Sequence, residues 1–540
     1  MAYAASFLQS AFDALRDFAA TQTRTSLGVH SVLLSLFCHL SWKLYVRRRD
    51  NPRGLPYPPG PKPLPIIGNL FDFARENESA AYLGMAHEYG DLVFLSALGI
   101  NVLIVNDFQT ANELFEKRSA NYSDRHESPM INHLMGWDWS FGHMRYGERW
   151  KNHRKMFHRQ FQQSVAPIYW PVQLKSAHEL LRHMVEKPND LINHLRHNAA
   201  SVIMRVVYGI KVSPHDDKYI SVAETALDGM ARAANPGAFL VDIFPSLKYV
   251  PAWMPGAGFQ VKARRWREAV MEMRDAPFEF VLKAIKSGTA IPSFVTNLVT
   301  DLEHKGKNED EMDQIRNCAG LAYAAGAESS VSSLSSFFLA MVLHPDVQKK
   351  AREELDRVVG RGRLPDFTDR DSLPYISAVT KEVLRWNPVA PLGLPHMSTE
   401  NDIFRGYFIP AGTLIMGNSW TILHDPETFP DPMRFDPERF LSKPTDQYLS
   451  PNEPLSTAFG YGRRICPGRF MAEAQVWISV ACILAAFDVA PGKDEHGNPV
   501  KVEAKFSSGM ICHPLPFSYS ITPRDEQARV LIEQTQLMDA

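Results

Sequence analysis

The spacing of apolar positions separates an apolar N-terminal stretch from the rest of the chain. Residues 26–46 are almost wholly apolar or small, with Lys43 as their only full charge. A helix of this length spans roughly 30 Å, which is about one hydrocarbon core. Arg47–Arg49 follow directly, and basic residues favour the cytosolic side of a membrane. The pattern predicts a lumenal segment at 1–25 and a transmembrane anchor at 26–46, and the alternative is an amphipathic helix lying on the bilayer.

Residues 47–69 form a basic and then proline-rich stretch that differs from everything after it. Proline fixes φ and removes a backbone donor, so a helix cannot continue through this stretch. The composition predicts a stiff, extended hinge between the anchor and the body. A plain linker or a ligand for an SH3 domain is the alternative interpretation.

The remaining body, residues 70–540, is mainly helical with small strand regions. Residues 92–105 predict two short strands around Gly99, and helical spacing runs from about Asp107 to Gly360. Residues 401–417 alternate like strands, a last long helix is predicted at 469–487, and a β-like tail follows to about Thr522. Helices and strands are segregated rather than alternating, so the predicted fold class is α+β, mainly helical.

Composition and charge exclude several classes of protein. Apolar residues make up 45% of the 540 residues, and 58 basic against 60 acidic residues give a net charge of −2. This balance excludes a nucleic-acid binder that works by bulk electrostatics, and it excludes a highly charged disordered chain. Five scattered cysteines without a C-x-x-C pair exclude a disulfide framework and a common zinc motif. No glycine-rich nucleotide motif is present.

One cysteine has an unusual context, the run FGYGRRICPG at 459–468. Cys466 precedes Pro467 and the predicted last helix, and a helix start favours a thiolate, the form that binds metal. Gly460, Gly462 and Gly468 allow close approach of a flat ligand. Taken alone, a buried structural cysteine is the ordinary alternative.

The spaced positions Phe459, Gly462, Arg464, Cys466 and Gly468 match the haem-binding signature of the cytochrome P-450 (haem-thiolate monooxygenase) superfamily. The overall amino-acid sequence resembles that of fungal microsomal members of this superfamily. This resemblance implies the cytochrome P-450 fold, a helix-rich body with small β-sheets and haem b (iron protoporphyrin IX) between two long helices. It makes Cys466 the thiolate ligand of the iron.

Further motifs fit the same family. Trp150 and Arg154 lie at i and i+4 on one helix face, and the resemblance implies that they bind the haem propionates with Arg464 and His396. A lone histidine such as His396 is also commonly a core residue. The E-x-x-R pair Glu382 and Arg385, together with Arg439, resembles the family's structural Glu–Arg–Arg network.

The long apolar helix at 315–343 contains the run AYAAGAESS. Glu328 and Ser329 stand where the family usually has an acid followed by threonine, and the resemblance makes them the pair that delivers protons during oxygen activation. Serine keeps the hydroxyl but lacks the methyl group that restricts χ1 of threonine. We therefore predict proton delivery with some loss to hydrogen peroxide, and a serine-rich packing face is the alternative.

Four segments are predicted to shape a largely apolar substrate pocket, which favours a lipophilic substrate such as a terpenoid, a polyketide or an aromatic xenobiotic. They are 119–146 (with Met130, Ile131, Trp137, Trp139 and Phe141), 226–243, 391–394 and 507–513.

The chain past Cys466 leaves no room for a flavin domain, so electrons are expected from an NADPH–haemoprotein reductase, with cytochrome b5 as a second candidate donor. Lys151, Lys155 and Arg159 are the predicted docking face, and an ordinary solvated basic face is the alternative.

The sequence thus predicts a single-pass protein of the endoplasmic reticulum membrane whose catalytic domain faces the cytosol. It would oxidise a lipophilic small molecule with O2 and NADPH-derived electrons. Two alternatives stay open: a haem-thiolate isomerase or dehydratase that needs no reductase, and a non-catalytic haem-binding sensor. The sequons at Asn77 and Asn121 should carry no glycan if the body is cytosolic.

Overall fold

The computed structural model describes residues 45, 48–74, 76–214, 216–235, 237–306, 308–441, 450–451 and 453–538. The predicted lumenal segment 1–25 and, apart from Tyr45, the predicted anchor 26–46 lie outside these residues. The described residues form two compact units. One contains the residues up to Pro58 together with Asn401–Pro410, and the other contains Pro59–Glu400 together with the residues from Ala411 onward.

Helices are the predominant regular structure of the described chain. In chain order they are α1 (Glu78–Tyr89), α2 (Phe108–Asn112), α3 (Glu148–Phe161), α4 (Trp170–Glu186), α5 (Leu191–Tyr208), α6 (Lys218–Ala234), α7 (Leu240–Ile243), α8 (Gly258–Ser287), α9 (Phe294–Lys305), α10 (Glu309–Leu343), α11 (Pro345–Val358), α12 (Pro374–Trp386), α13 (Ser419–Leu423), α14 (Leu455–Ala458), α15 (Arg469–Ala486) and α16 (Glu526–Met538).

The strands are short and fall into three separate sheets. They are β1 (Leu92–Ala97), β2 (Ile100–Val105), β3 (His396–Met397), β4 (Asp402–Phe404), β5 (Tyr407–Ile409), β6 (Leu414–Gly417), β7 (Phe487–Ala490) and β8 (Ser520–Pro523). The largest sheet has the order β1-β2-β6-β3, with β1 antiparallel and β6 parallel to β2. Strand β3 runs antiparallel to β6 and pairs His396 with Ile415. This segregation confirms the α+β, mainly helical fold class.

The smaller unit is built on the β4–β5 hairpin. Its turn places Arg405 and Gly406 at positive φ, 50° and 83°. The backbone N–H of Phe408 donates to the carbonyl of Pro56 at 2.8 Å, and the Tyr57 ring lies 6.0 Å from the Phe408 ring. No helix occurs between Asn51 and Asn69, all of which are described, as expected for a segment in which proline removes backbone donors.

Helices α10 and α15 lie at the centre of the larger unit. Within the described part of the chain, they are the two helices long and apolar enough to cross a bilayer, but 67% and 72% of their most apolar windows are buried in protein. Phe337 and Leu334 of α10 and Trp477 and Ile478 of α15 are fully buried in one hydrophobic cluster. A helix that is apolar on all sides is typical of the core of a large protein. Helix α10 carries Glu328 and Ser329, and helix α15 follows Cys466 in the chain.

The predicted Glu–Arg–Arg network is present in the structure. Arg385 and Glu382, both fully buried on α12, form a bidentate ion pair with N–O distances of 2.6 and 2.9 Å. Arg439, in the turn Pro437–Phe440, places its Nε 3.5 Å from the same carboxylate. Arg385 also donates to the carbonyls of Leu423 and Pro432. The network therefore joins α12 to the irregular segment before the Cys466 loop.

Candidate active site

Cys466 lies on the loop between α14 and α15. Its backbone N–H donates to the carbonyl of Phe459 at 2.8 Å, so the half-buried Phe459 and Cys466 close one tight loop. Helix α15 begins at Arg469, which leaves Pro467 and Gly468 between the cysteine and the first helical residue. The cysteine therefore lies just before the helix rather than in its first turn, and the Gly468 N–H still reaches its sulfur.

Tight packing under the loop leaves no room for a side chain at Gly462. Its φ is +56°, and a Cβ at this position would lie 2.1 Å from the carbonyl oxygen of Phe115. The Gly462 N–H donates to Glu116 Oε1 at 2.8 Å. The neighbouring Tyr461 ring stacks on the Phe115 ring at 4.9 Å, and its hydroxyl lies 2.9 Å from Ser419 Oγ. These contacts fix the position of the cysteine loop.

Burial controls the ionisation of Cys466. It raises the pKa of the thiol, and this effect exceeds the lowering by the Gly468 N–H and by the nearby Arg154 and Arg469. The Gly468 N–H at the helix start favours the thiolate, as predicted from the sequence, but burial outweighs this effect in the free thiol. A metal cation bound to the sulfur would displace the proton, since a coordinating thiol is deprotonated. The site thus suits a thiolate that forms on metal binding.

Two arginines predicted from the sequence meet near Cys466. The guanidinium of Arg464 lies 4.4 Å from the buried Trp150 ring and donates to the carbonyls of Ser123 and Met144, each at 2.8 Å. Burial is the main cause that lowers the pKa of both Arg464 and Arg154 to about 10, and the charge of Arg154 also lowers the pKa of Arg464. Arg154 and the indole N–H of Trp150 have no hydrogen bond to any described residue.

A third arginine, Arg125, belongs to the same cluster and was not predicted. It is buried, and it donates to the carbonyls of Leu394 and Pro395 at 2.5 and 2.6 Å. Burial and the charge of Arg464 hold the pKa of Arg125 well below its usual value. No spacing in the sequence distinguishes this arginine, because its neighbours in the cluster lie 29 to several hundred positions further along the chain.

The cluster of Arg125, Arg154 and Arg464 carries more positive than negative charge. Among the described residues, Asp124 is the carboxylate that acts on it, and that carboxylate is already paired with Arg145 at 2.6 Å. Buried charges are normally paired. The donor set therefore fits a ligand that brings carboxylates of its own, and a porphyrin with two propionates is such a ligand.

His396 lies beside the cluster on β3. Its Nδ1 lies 2.6 Å from the carbonyl of Tyr122, which requires a proton on Nδ1, and its ring packs 4.6 Å from Phe115. Burial and the charge of Arg125 hold the pKa of His396 well below its usual value. The neutral ring therefore presents Nε2 as an acceptor. Donation to a propionate requires the imidazolium, which a neighbouring anion would stabilise.

Glu328 and Ser329 lie in the middle of α10. The Ser329 hydroxyl donates to the carbonyl of Ala325 at 2.8 Å, the back-bond expected of a serine within a helix. Gly326 has limited space, since a Cβ there would lie 3.1 Å from Ile203. Burial raises the pKa of Glu328 although Arg196 opposes it. The carboxyl therefore takes up a proton nearer to neutral pH than an exposed glutamate does.

The predicted pocket residues of segment 119–146 are buried. Trp137 and Trp139 stack at 5.4 Å, and Arg274 of α8 lies 5.6 Å from the Trp139 ring. A Cβ on Gly320 of α10 would lie 3.0 Å from Trp139. Met130 and Phe141 belong to the same hydrophobic cluster. The two indoles therefore pack segment 119–146 against α8 and α10, a structural role that the sequence interpretation did not give them.

Comparison with known proteins agrees with this geometry. The family model "Cytochrome P450" matches residues 58–521. A cytochrome P450 monooxygenase of Armillaria gallica is 43% identical over 91% of this chain and 96% of its own length. One from Coprinopsis cinerea is 42% identical over 89% and 92%, and the tryptamine 4-monooxygenase of Psilocybe cyanescens is 39% identical over 87% and 93%. The chain belongs to the cytochrome P450 family of monooxygenases, which bind haem through a cysteine thiolate.

Proposed function

We propose that the protein is a membrane-anchored monooxygenase that oxidises a lipophilic small molecule with O2 and electrons from an NADPH–haemoprotein reductase. It would act at the endoplasmic reticulum with its catalytic domain in the cytosol. Cys466 would ligate the haem iron, and Trp150, Arg154, His396 and Arg464 would bind the propionates. Haem supplies the activation of dioxygen when it is bound.

The observation that carries this proposal is the excess of positive charge beside Cys466. Arg154 has no carboxylate or carbonyl partner among the described residues, and its pKa is lowered to about 10 by burial. Such a group needs an anion to offset the cost of its desolvation. A propionate would satisfy Arg154 and the indole N–H of Trp150 together. Arg125 extends the same donor set.

Glu328 and Ser329 have the chemistry of a proton-delivery pair. Because the Ser329 hydroxyl donates a hydrogen bond to the Ala325 carbonyl, its oxygen is left to accept a hydrogen bond from water. The raised pKa of Glu328 lets this carboxyl bind and release a proton closer to neutral pH. Together they would hold a water molecule and supply it with protons.

A basic helix face supports an external electron donor. Lys155 and Arg159 of α3 are exposed, and Lys151 is exposed in a surface ion pair with Glu148 at 2.7 Å. Charge complementarity of this kind increases the rate of association with an acidic partner. A reductase would dock here, with cytochrome b5 as a second candidate donor.

A product screen tests the proposal. Membranes that contain the full chain and a co-expressed reductase are supplied with NADPH and with terpenoids, polyketides and aromatic compounds, and products are detected by mass. Tryptamine belongs in the screen because one relative is named for it. We expect a product that is heavier by one oxygen atom, that requires NADPH, and that is lost in Cys466→Ser.

Two other outcomes would contradict the proposal. A product that forms equally well without reductase and NADPH identifies an isomerase or dehydratase. Haem binding without any product across the screen favours a sensor. The absorption spectrum of the reduced carbon monoxide complex, measured on each preparation, reports whether the thiolate is bound to the iron.

A further inference from the structure

Two basic side chains from outside α10 meet the Glu328 carboxylate. Arg196 of α5 places its Nε 3.9 Å from Glu328 Oε1, and His513 places its Nε2 3.6 Å from Glu328 Oε2. Arg196 also contacts Glu224 of α6, with Nε and Oε1 separated by 3.6 Å. Arg196, Glu224 and His513 are, among the described residues, the charged or titratable groups that face Glu328.

The loop that carries His513 is fixed against α10. The His513 N–H donates to Ser507 Oγ at 3.0 Å, and the Ser507 N–H donates to the His513 carbonyl at 2.7 Å. Ser332, one turn after Glu328, donates from its hydroxyl to the carbonyl of Cys512 at 2.5 Å. The imidazole is therefore held in place relative to the carboxylate by the helix that carries the carboxylate.

His513 also has access to solvent. Its side chain is 30% exposed, whereas that of Glu328 is 17% exposed. Its Nδ1 has no hydrogen bond to the described residues, so water can reach that nitrogen. Burial and the charge of Arg196 lower the pKa of His513, which leaves the ring neutral near pH 7. A neutral imidazole can give up a proton at one nitrogen and accept one at the other.

We propose that His513 is a positioning residue that passes protons from solvent to Glu328. In this step Nδ1 accepts a proton from hydronium or a buffer acid in the solvent, and the imidazolium so formed gives its Nε2 proton to Glu328 Oε2. The ring is then neutral with its proton on Nδ1, and exchange of that proton with solvent restores the Nε2–H form. Arg196 acts on the other carboxylate oxygen through its charge, with its Nε 3.9 Å from Oε1. The inference rests on the proposed function, because it assigns the supply route for the proton-delivery pair.

A mutant cycle tests the relay in the full-length holoenzyme with reductase and the compound that the screen identifies. Glutamine at position 513 keeps an amide near the carboxylate but cannot carry a proton. We expect His513→Gln to raise the hydrogen peroxide released per NADPH severalfold and to add little in a Glu328→Gln background, since linked residues are not additive. His496→Gln, an exposed substitution elsewhere in the C-terminal region, is the matched control.

A second measurement needs no substrate. The 15N signal of the His513 ring, assigned by its disappearance in His513→Gln, is followed against pH in the reduced carbon monoxide complex. Glu328→Gln removes a negative charge beside the ring, so the titration should move to lower pH. A role confined to anchoring the loop would give additive effects in the mutant cycle, and the titration tests separately whether the Glu328 charge acts on the His513 ring.

The outcomes separate the two proposals. An unchanged peroxide ratio in His513→Gln, an equal rise in His496→Gln, or a titration that ignores Glu328→Gln overturns the relay and leaves the monooxygenase intact. Absence of NADPH-dependent product in the wild-type protein overturns the proposed function and the relay together.

Discussion

Arg154 is the residue whose surroundings say most about the bound cofactor. It lies on the inner face of α3 near Cys466, while Lys155, the next residue, is exposed. An arginine that is half-buried without a carboxylate is destabilising unless a ligand pairs with it. The neighbouring pair Arg154 and Lys155 therefore offers a direct comparison of a ligand-facing cation with a surface cation.

We predict that Arg154→Ala speeds the loss of haem. A charge-assisted hydrogen bond contributes about 1.5–3 kcal/mol, which corresponds to a rate increase of about ten- to a hundredfold. The transfer of haem to apomyoglobin measures this rate. Lys155→Ala should leave it unchanged, and equal rates in the two variants would contradict propionate binding by Arg154.

Ser329 is the residue at which the proposed coupling of oxygen activation to product formation can be tested. We predict that Ser329→Ala raises the hydrogen peroxide released per NADPH severalfold, because the hydroxyl that holds water is removed. Ser329→Thr should lower the ratio below that of the wild type, since the added methyl group restricts χ1. Peroxide and NADPH are measured in the same assay, and an unchanged ratio in Ser329→Ala would show that this serine only packs the helix.

At the scale of elements, the loop before α15 depends on the packing of Gly462 against the π-helical turn Glu113–Lys117. Gly462 has positive φ and no space for a Cβ, whereas Gly468 has φ −93° and open space around the Cβ position. The same substitution at the two glycines therefore separates a steric effect from a general effect on the loop.

We predict that Gly462→Ala distorts the cysteine loop and Gly468→Ala does not. The positive φ alone costs about 1 kcal/mol or more for a residue with a side chain, and the contact with the Phe115 carbonyl adds to it. Haem content per chain and the reduced carbon monoxide spectrum should both decline in Gly462→Ala. Equal haem content in the two variants would show that the loop adapts.

The ion-pair network of α12 also acts at the scale of elements, because it joins this helix to the segment that contains Arg439. We predict that Glu382→Ala lowers the free energy of unfolding by about 3–5 kcal/mol, because Arg385 is then left buried without its partner. Glu353→Ala removes an exposed partner of Lys349 on α11. This change should alter the free energy of unfolding by less than about 1 kcal/mol. Denaturant unfolding measures both, and a small effect at Glu382 would mean that water or a repacked side chain satisfies Arg385.

At the scale of the whole molecule, the two most apolar described helices are core helices, so the proposed membrane attachment depends on residues 26–46. The side chain of the sequon residue Asn121 makes hydrogen bonds within the fold. Its Oδ1 accepts from the N–H groups of Thr399 and Glu400, at 2.9 and 2.7 Å. An N-glycan is attached to Nδ2, which here donates to the carbonyl of Glu400 at 3.2 Å, so a glycan would disturb this contact, which fits the proposed cytosolic location of the body.

We predict that the protein expressed in eukaryotic microsomes carries no N-glycan on Asn77 or Asn121. Leu8→Asn creates the sequon N-Q-S in the segment proposed to be lumenal, and this variant should gain one glycan. A mass shift on treatment with an endoglycosidase measures both. A glycan on the body of the wild-type protein would reverse the proposed topology.

Local information was sufficient for several features. The strands around Gly99 and the last long helix depend on apolar spacing within a few residues, and the structure has them at Leu92–Ala97, Ile100–Val105 and Arg469–Ala486. The Cys466 motif is contiguous, so it could be read directly. The E-x-x-R pair could be predicted because its two residues share one helix turn.

The sequence by itself therefore determined the family, the cysteine motif at 459–468 and the order of the main elements, since each of these depends on neighbouring residues. Only the tertiary structure placed Arg125 beside Arg464 and brought Arg196 and His513 to Glu328. These contacts join residues that are far apart in the chain, and no periodicity encodes them. Burial, too, is a property of the packed molecule, which is why the ionisation of Cys466 and Glu328 could not be inferred from their neighbours in the sequence.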